Sequence, residues 1–258
     1  MTVHSGVPTP PPDETRLWRY MSIDKYLAIL AGRSLFFANI ATFDDPAEGS
    51  LPEANRVLRE ARLVGTVAEG NKVAKETREL KIGNRVVTLE WLMEHHLRRI
   101  ATHVNVSCWH ANTGESMAMW NLYDLRHAGI AITTSMARLR SCLPEDVLIG
   151  SVAYHDPNLV AIDEDWIPLA PFFYKWESYS HEKEVRAVKF GESVFPLPLG
   201  KPLVSGVPVP IDPSALIESV LVAPGAPAFM REVIEKTTES LGYDIDVAPS
   251  ALALRGVY

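Results

Sequence analysis

Lys175-Trp176-Glu177-Ser178-Tyr179-Ser180-His181-Glu182-Lys183-Glu184-Val185-Arg186, running on through Ala187 to Phe190, sets the reading of this chain. Three carboxylates, three cations and two aromatic rings crowd into a segment that then becomes an apolar strand, Glu184 to Phe190. Side chains alternate faces along a strand, so Glu182, Glu184 and Arg186 are expected to line one face and reach a cleft, with Val185 turned to the core. The competing explanation is an exposed edge guarded by charges against strand pairing.

Outward from this strand, β-type runs recur at Leu17–Tyr20, Ser34–Ile40, Val104–Trp109, Gly129–Thr134, Val147–Tyr154, Pro202–Val209, Val220–Ala223 and near Tyr243–Val247. A helix is expected from Ile23 to Leu30, capped by Ser22, stopped by Gly32, and showing Ile23, Tyr26, Leu27 and Leu30 on one face. Ser116 to Leu125 predicts a short aromatic helix, and Pro227 to Leu241 a closing helix with Gly242 at its end. Residues from Pro52 to about Leu80 look helical despite Gly65 and Gly70, and Thr88 is placed to cap a helix through Ile100. Strands and helices do not alternate strictly, which favours an α+β fold over a doubly wound parallel sheet. The expected organisation is a flexible Pro-rich leader over residues 1–15, with Pro8, Pro10, Pro11 and Pro12, then a single α+β domain over 16–258 carrying a helical insertion at about 52–101.

Composition narrows the function without naming it. The 258 residues are 47% hydrophobic and 22% charged, and 25 Lys plus Arg against 32 Asp plus Glu leave a formal charge of −7. No global positive field draws the chain onto nucleic acid or an anionic membrane. No apolar run approaches the roughly 18 residues of a spanning helix, so a cytoplasmic protein is expected. Cys108 and Cys142 are too few for a disulfide scaffold or a Cys-based zinc site. Phosphate-loop, dinucleotide-fingerprint, nucleophile-elbow and HExxH signatures are missing, and Glu94-His95-His96 sits on neighbouring helical positions that cannot share one ion.

Two further clusters stand out. Ser107-Cys108-Trp109-His110 ends a strand, and Met117, Met119, Trp120 and Tyr123 follow on the short helix. Trp120 and Tyr123 stand three apart and so share a face, either as core or as a platform for a flat ring. Trp18-Arg19-Tyr20 holds an Arg between aromatics in an apolar strand. Its planar fork suits phosphate or carboxylate, and the plain alternative is an ion pair with Asp45, Glu182 or Glu184.

In this order, Leu17-Trp18-Arg19-Tyr20, the Phe43-Asp44-Asp45-Pro46 loop with Glu48, Ser107-Cys108-Trp109, Met119-Trp120-Asn121-Leu122-Tyr123, Gly129-Ile130 and Lys175 to Arg186 resemble the bacterial family catalogued as domain-of-unknown-function number 2971. The resemblance covers most of the chain from residue 17, with Asp44 standing where the family more often has Asn. It implies no activity. A looser resemblance does: an Arg on the first strand, a Ser on a middle strand and a Glu-x-Glu on a later one look like the Arg, Ser, Glu arrangement of ADP-ribosyltransferases. That implies a small split sheet, antiparallel or mixed, clamping NAD as substrate without a metal. Arg19 would hold the NAD phosphates, Ser107 would brace the site, Glu184 would be the catalytic carboxylate and Glu182 the first of the pair. Thr133-Thr134-Ser135 rivals Ser107 for the middle motif.

Cleaving the nicotinamide–ribose bond builds positive charge on the sugar, which a carboxylate on a ribose hydroxyl stabilises. Tyr20, Trp120 or Tyr123 would stack on the cationic leaving group. The acceptor of ADP-ribose, protein, nucleic acid or water, stays open. A basic helix face at Lys72, Lys75, Arg78 and Lys81 would engage phosphate. A toxin or phage-defence role would add a cognate inhibitor protein. The rivals are a non-catalytic module that binds a nucleotide or protein, and a metal-free N-glycosidic hydrolase pairing Asp45 with Glu184.

Overall fold

The computed structural model describes residues 7–45, 47–58, 79–82, 85–88, 97–123, 128–162, 169–191 and 204–253. The first strand, β1 (Arg16–Ser22), runs directly into α1 (Ile23–Gly32) and β2 (Ser34–Asn39). Ser22 occupies the N-cap position of α1, and Arg33, not Gly32, takes the left-handed turn that ends it. After a short hairpin, β3 (Glu79–Ile82) and β4 (Arg85–Thr88), the chain forms β5 (Val104–Ala111), α2 (Met117–Leu122), β6 (Gly129–Ser135) and α3 (Met136–Cys142). Next come β7 (Leu148–Ser151), β8 (Ala153–His155), β9 (Tyr174–Trp176) and β10 (Glu184–Phe190). Then follow β11 (Gly206–Pro210), α4 (Pro213–Leu216), β12 (Ser219–Val222), α5 (Ala228–Ser240) and β13 (Asp246–Pro249). The fold is α+β. Its main sheet is mixed and runs β11-β2-β5-β1-β6-β12-β13, antiparallel except for β12 with β13, and β10 and β7 extend it from β5. Pro208 and Pro210 lack backbone donors and lie on β11, which has no outer neighbour among the described residues.

β5 organises this sheet. One of its edges pairs with β10 from Val104 to His110. The other edge is shared: β2 takes Asn105 and Val106, β1 takes His110 and Ala111, and Ser107 to Trp109 lie in the gap where β1 and β2 diverge. One face of the sheet carries the larger core, where Leu17, Met21, Trp109, Ile132, Val185 and Ala187 pack with Tyr26, Leu30, Leu139 and Ile234 of the helices. On the opposite face two smaller clusters form, one around Trp18, Tyr20, Met119 and Trp120, the other around Val104, Val106, Phe172, Phe173 and Val188. By register, Cys108, His110, Glu184 and Arg186 fall on this second face, between the two clusters.

Several expectations change. Residues 7–15 are not a loose leader: Val7 packs against the Phe172 cluster, and the carbonyls of Asp13 and Thr15 accept from Ala137 and Met136 at the start of α3. Those N–H groups have no partner within the helix, so a short extended chain with few conformations to lose satisfies them. Residues 53–58 and 97–101 are helical, but Leu80 and Thr88 belong to the β3–β4 hairpin, whose strand backbone replaces the expected helix end and cap. Val147–Tyr154 is two strands, because β8 leaves the main sheet to pair in parallel with β9. Glu182 is not on a strand. It ends a 3₁₀ turn at Glu177–Glu182, and Lys183 adopts φ 41°, which breaks the alternation with Glu184. Glu94, His95 and His96, and Lys72, Lys75, Arg78 and the side chain of Lys81, lie outside the described residues.

Trp120 is fully buried and meets Tyr20 edge to face at 4.9 Å, so the helix α2 docks through its aromatic side chains. Replacing Trp120 with Ala should destabilise the protein by about 3–5 kcal/mol. Chemical denaturation of both forms measures this, and a loss below about 1 kcal/mol would contradict a packing role.

Candidate active site

Arg19 reaches into the gap beside β5. Its Nη1 donates to Ser107 Oγ at 2.9 Å and its Nη2 to the Phe36 carbonyl at 3.1 Å, a group freed because β2 has parted from β5 there. Trp109 Nε1 donates to the same Ser107 Oγ at 3.1 Å, and the guanidinium carbon sits 5.7 Å from the Trp109 ring. Among the described residues no carboxylate pairs with Arg19, so the plain explanation of an ion pair with Asp45, Glu182 or Glu184 does not hold. Burial lowers its pKa, yet a guanidinium stays protonated at any working pH. The result is a half-buried cation fixed by neutral acceptors, with N–H groups to spare.

Glu184 belongs to a buried ionic cluster. Arg186, which is fully buried, donates from Nε to Glu184 Oε1 at 2.7 Å and from Nη2 to Oε2 at 3.2 Å. The same guanidinium meets Glu48 with both terminal nitrogens, at 2.5 and 3.0 Å, and the Phe172 carbonyl at 2.6 Å. Lys175 Nζ lies 2.6 Å from Glu182 Oε2 and 3.3 Å from Glu184 Oε2. Burial alone would raise the Glu184 pKa, but Arg186 and Lys175 outweigh it and hold it down at about 2, against an ordinary 4.5. Glu48 moves the other way: desolvation raises it more than Arg186 lowers it. Lys175 is raised, since Glu184 and Glu182 overcome its desolvation. Above Glu184 the Tyr154 hydroxyl accepts from its backbone N–H at 2.8 Å.

Tyr123 is the C-cap residue of α2. Half of its surface is exposed (49%), but its hydroxyl is desolvated, which raises its pKa; Cys108, Glu184 and Glu182 raise it further and Arg19 opposes them. Cys108 is a neutral thiol, pushed well above its usual value first by burial and then by Glu184. His110 donates from Nδ1 to the Glu182 carbonyl at 2.6 Å and is lowered by burial, so it is neutral.

Of the expected site residues, Arg19 and Ser107 come together at the gap on the face of the sheet that carries Trp109, whereas Glu184, with Glu182 joined to it through Lys175, lies on the opposite face. Tyr20 and Trp120 do not offer a free ring face: the Tyr20 hydroxyl accepts from Ser116 N at 2.9 Å, and Trp120 is core. The rival hydroxyls are committed elsewhere, Thr133 to Ser219, Thr134 to the Leu216 carbonyl, and Ser135 to capping α3. Asp45 caps its own loop at Ala47 N and lines a separate cleft of about 620 Å³ that Glu184 does not line, so the two are not flanking carboxylates. That cleft, bounded by Glu48, His155, Tyr174, Lys175 and Trp176, shares Glu48 and Lys175 with the ionic cluster. Sequence reasoning missed Glu48 and Arg186 as partners. The one available signal was an Arg destined for a largely apolar strand, which demands buried counter-charge.

No family model and no curated protein matches the chain, so the resemblance to domain-of-unknown-function number 2971 rests on the quoted motifs alone. Among solved structures, DarT of Thermus sp. 2.9 in complex with NAD+ is similar over 92% of this chain and 96% of that one, with 12% identity and a TM-score of 0.39. The same protein in complex with carba-NAD+ gives 9% identity and a TM-score of 0.40 over 94% of this chain and 98% of that one. In complex with ADP-ribosylated ssDNA it gives 10% and 0.39 over 94% and 97%. At such identity and score these likenesses carry no weight for function, and the α+β mixed sheet stands on the strand pairing of this chain.

Proposed function

We propose that this protein binds NAD at the gap beside β5, cleaves its nicotinamide–ribose bond and passes ADP-ribose to a macromolecular acceptor or to water. The observation that carries this reading is Arg19: a cation anchored by Ser107 and a backbone carbonyl, with no carboxylate partner among the described residues. A planar fork with free donors suits a diphosphate. In the bond cleavage the electron pair leaves with nicotinamide, whose ring loses its positive charge, and the ribose gains it. Glu184, ionised and held rigid, would accept from a ribose hydroxyl and stabilise that charge. Tyr123 would cover the leaving ring. Glu182, tied to Lys175 through one oxygen, would take the proton that the attacking nucleophile sheds. A metal is not required by this route.

A second reading has one observation in its favour. Both Glu184 oxygens already accept from Arg186, and Oε2 also faces Lys175, which suits a module that binds a nucleotide without turning it over. Nicotinamide release separates the two: the module would bind NAD calorimetrically and release none.

Glu184→Gln should slow nicotinamide release on the order of 10² while leaving NAD affinity within a few-fold. Arg19→Gln should weaken NAD binding about tenfold or more, as expected for a lost charged hydrogen-bond donor. Equal rates in the Glu184 variant, or unchanged affinity in the Arg19 variant, would end the proposal.

The acid side of the pH profile gives an independent check. A carboxyl lowered to about 2 keeps its charge on acidification until well below the ordinary 4.5. NAD cleavage should therefore show no loss from Glu184 protonation between neutral pH and about pH 5. A steady-state profile with an acid limb centred near pH 5–6 and abolished by Glu184→Gln would contradict the assignment.

A further inference from the structure

Glu48 comes from a loop 138 residues away from Arg186 and is 2% exposed at its side chain. Its two oxygens meet the two terminal nitrogens of Arg186, and the remaining Nε edge of the same guanidinium, with Nη2, grips Glu184. Glu184 and Arg186 are i and i+2 on one strand and would otherwise have many relative rotamers. A guanidinium is rigid and planar, so a partner that fixes one edge fixes the direction of the other.

The loop is shaped for this delivery. Gly49 follows Glu48 at φ 70°, and a Cβ there would lie 2.8 Å from the Phe172 ring, the residue whose carbonyl is the third acceptor of Arg186. Only glycine lets the backbone approach this closely in the left-handed region, and the approach is what seats Glu48 on the guanidinium.

We propose that Glu48 is a positioning residue for Glu184, acting through Arg186. It does not touch substrate. It anchors the guanidinium so that the Glu184 carboxylate keeps one orientation and its charge while substrate binds. The inference rests on the role given to Glu184 above.

A double-mutant cycle on NAD cleavage tests it. Glu48→Asp keeps the charge but draws the carboxylate back by one methylene, so the two-pronged contact is lost while Arg186 retains a counter-ion. It should cut kcat about tenfold, in line with the cost of a small misplacement, and leave KM for NAD within about twofold. In the Glu184→Gln background the same change should alter the residual rate by less than about twofold, because the interaction it serves is already gone. Gly49→Ala, which displaces Glu48 without changing any charge, should reproduce the pattern and serves if the Asp variant does not fold. An equal fractional loss in both backgrounds, a rise in KM at unchanged kcat, or no effect would overturn the positioning role and leave the Glu184 assignment standing. A Glu184→Gln variant as fast as the natural chain would instead remove that assignment.

Discussion

A strand edge carries a single row of donors and acceptors, and here two strands compete for one edge of β5. Neither β1 nor β2 can pair along its whole length, so they divide it and diverge over Ser107 to Trp109. The gap has two consequences. It leaves the Phe36 carbonyl without a strand partner, and it gives a long side chain from β1 somewhere to go. Buried backbone carbonyls seek a donor, and Arg19 supplies it while keeping other donors free. A continuous sheet would have used that carbonyl in a ladder and left no space for the guanidinium.

The carboxylate side is governed by a different constraint. A fully buried guanidinium is tolerable only with counter-charge and hydrogen bonds for its donors, and Arg186 obtains both from Glu48, Glu184 and the Phe172 carbonyl. Removing one partner of such a pair costs about 3–5 kcal/mol, chiefly because a charge is stranded. The same arrangement ionises Glu184 and raises Glu48, so two carboxyl groups on one cation are driven apart in acidity. Rigidity and a retained negative charge are what a group stabilising a developing cation needs. The two apolar clusters, around Trp120 and around Phe172, lie on either side of the assembly on the same face of the sheet.

Much of this was legible in the residues. The 3.6-residue stripe of α1, the apolar alternation of β10 and the strand at Leu17–Tyr20 are local patterns, and they fold as local physics requires. The α+β class followed from irregular alternation of those elements. Arg19 was conspicuous because an Arg in an apolar strand must answer for its charge. What failed were inferences that needed a neighbour from far along the chain. Glu182 leaves the strand because Lys183 takes a left-handed conformation, which side-chain alternation cannot foresee. Trp120 reads as core more readily than as platform, and Tyr20, a hundred residues earlier, is packed on its ring. Val7 to Thr15 looked too poor in apolar surface to order, but the bare helix start of α3 offered it hydrogen bonds instead. Glu48 and Arg186 are invisible as a pair for the same reason: 138 residues separate them and only the closed sheet brings them together.

The account stands or falls on whether one dinucleotide spans Arg19 and Glu184, and a crystal structure of the protein with a non-cleavable NAD analogue tests that most directly. The diphosphate should lie within hydrogen-bond distance of the Arg19 guanidinium, with the hydroxyl of the nicotinamide ribose on Glu184 and the ring beside Tyr123. An analogue seated in the cleft bounded by Trp176 and His155, with Arg19 untouched, would contradict it.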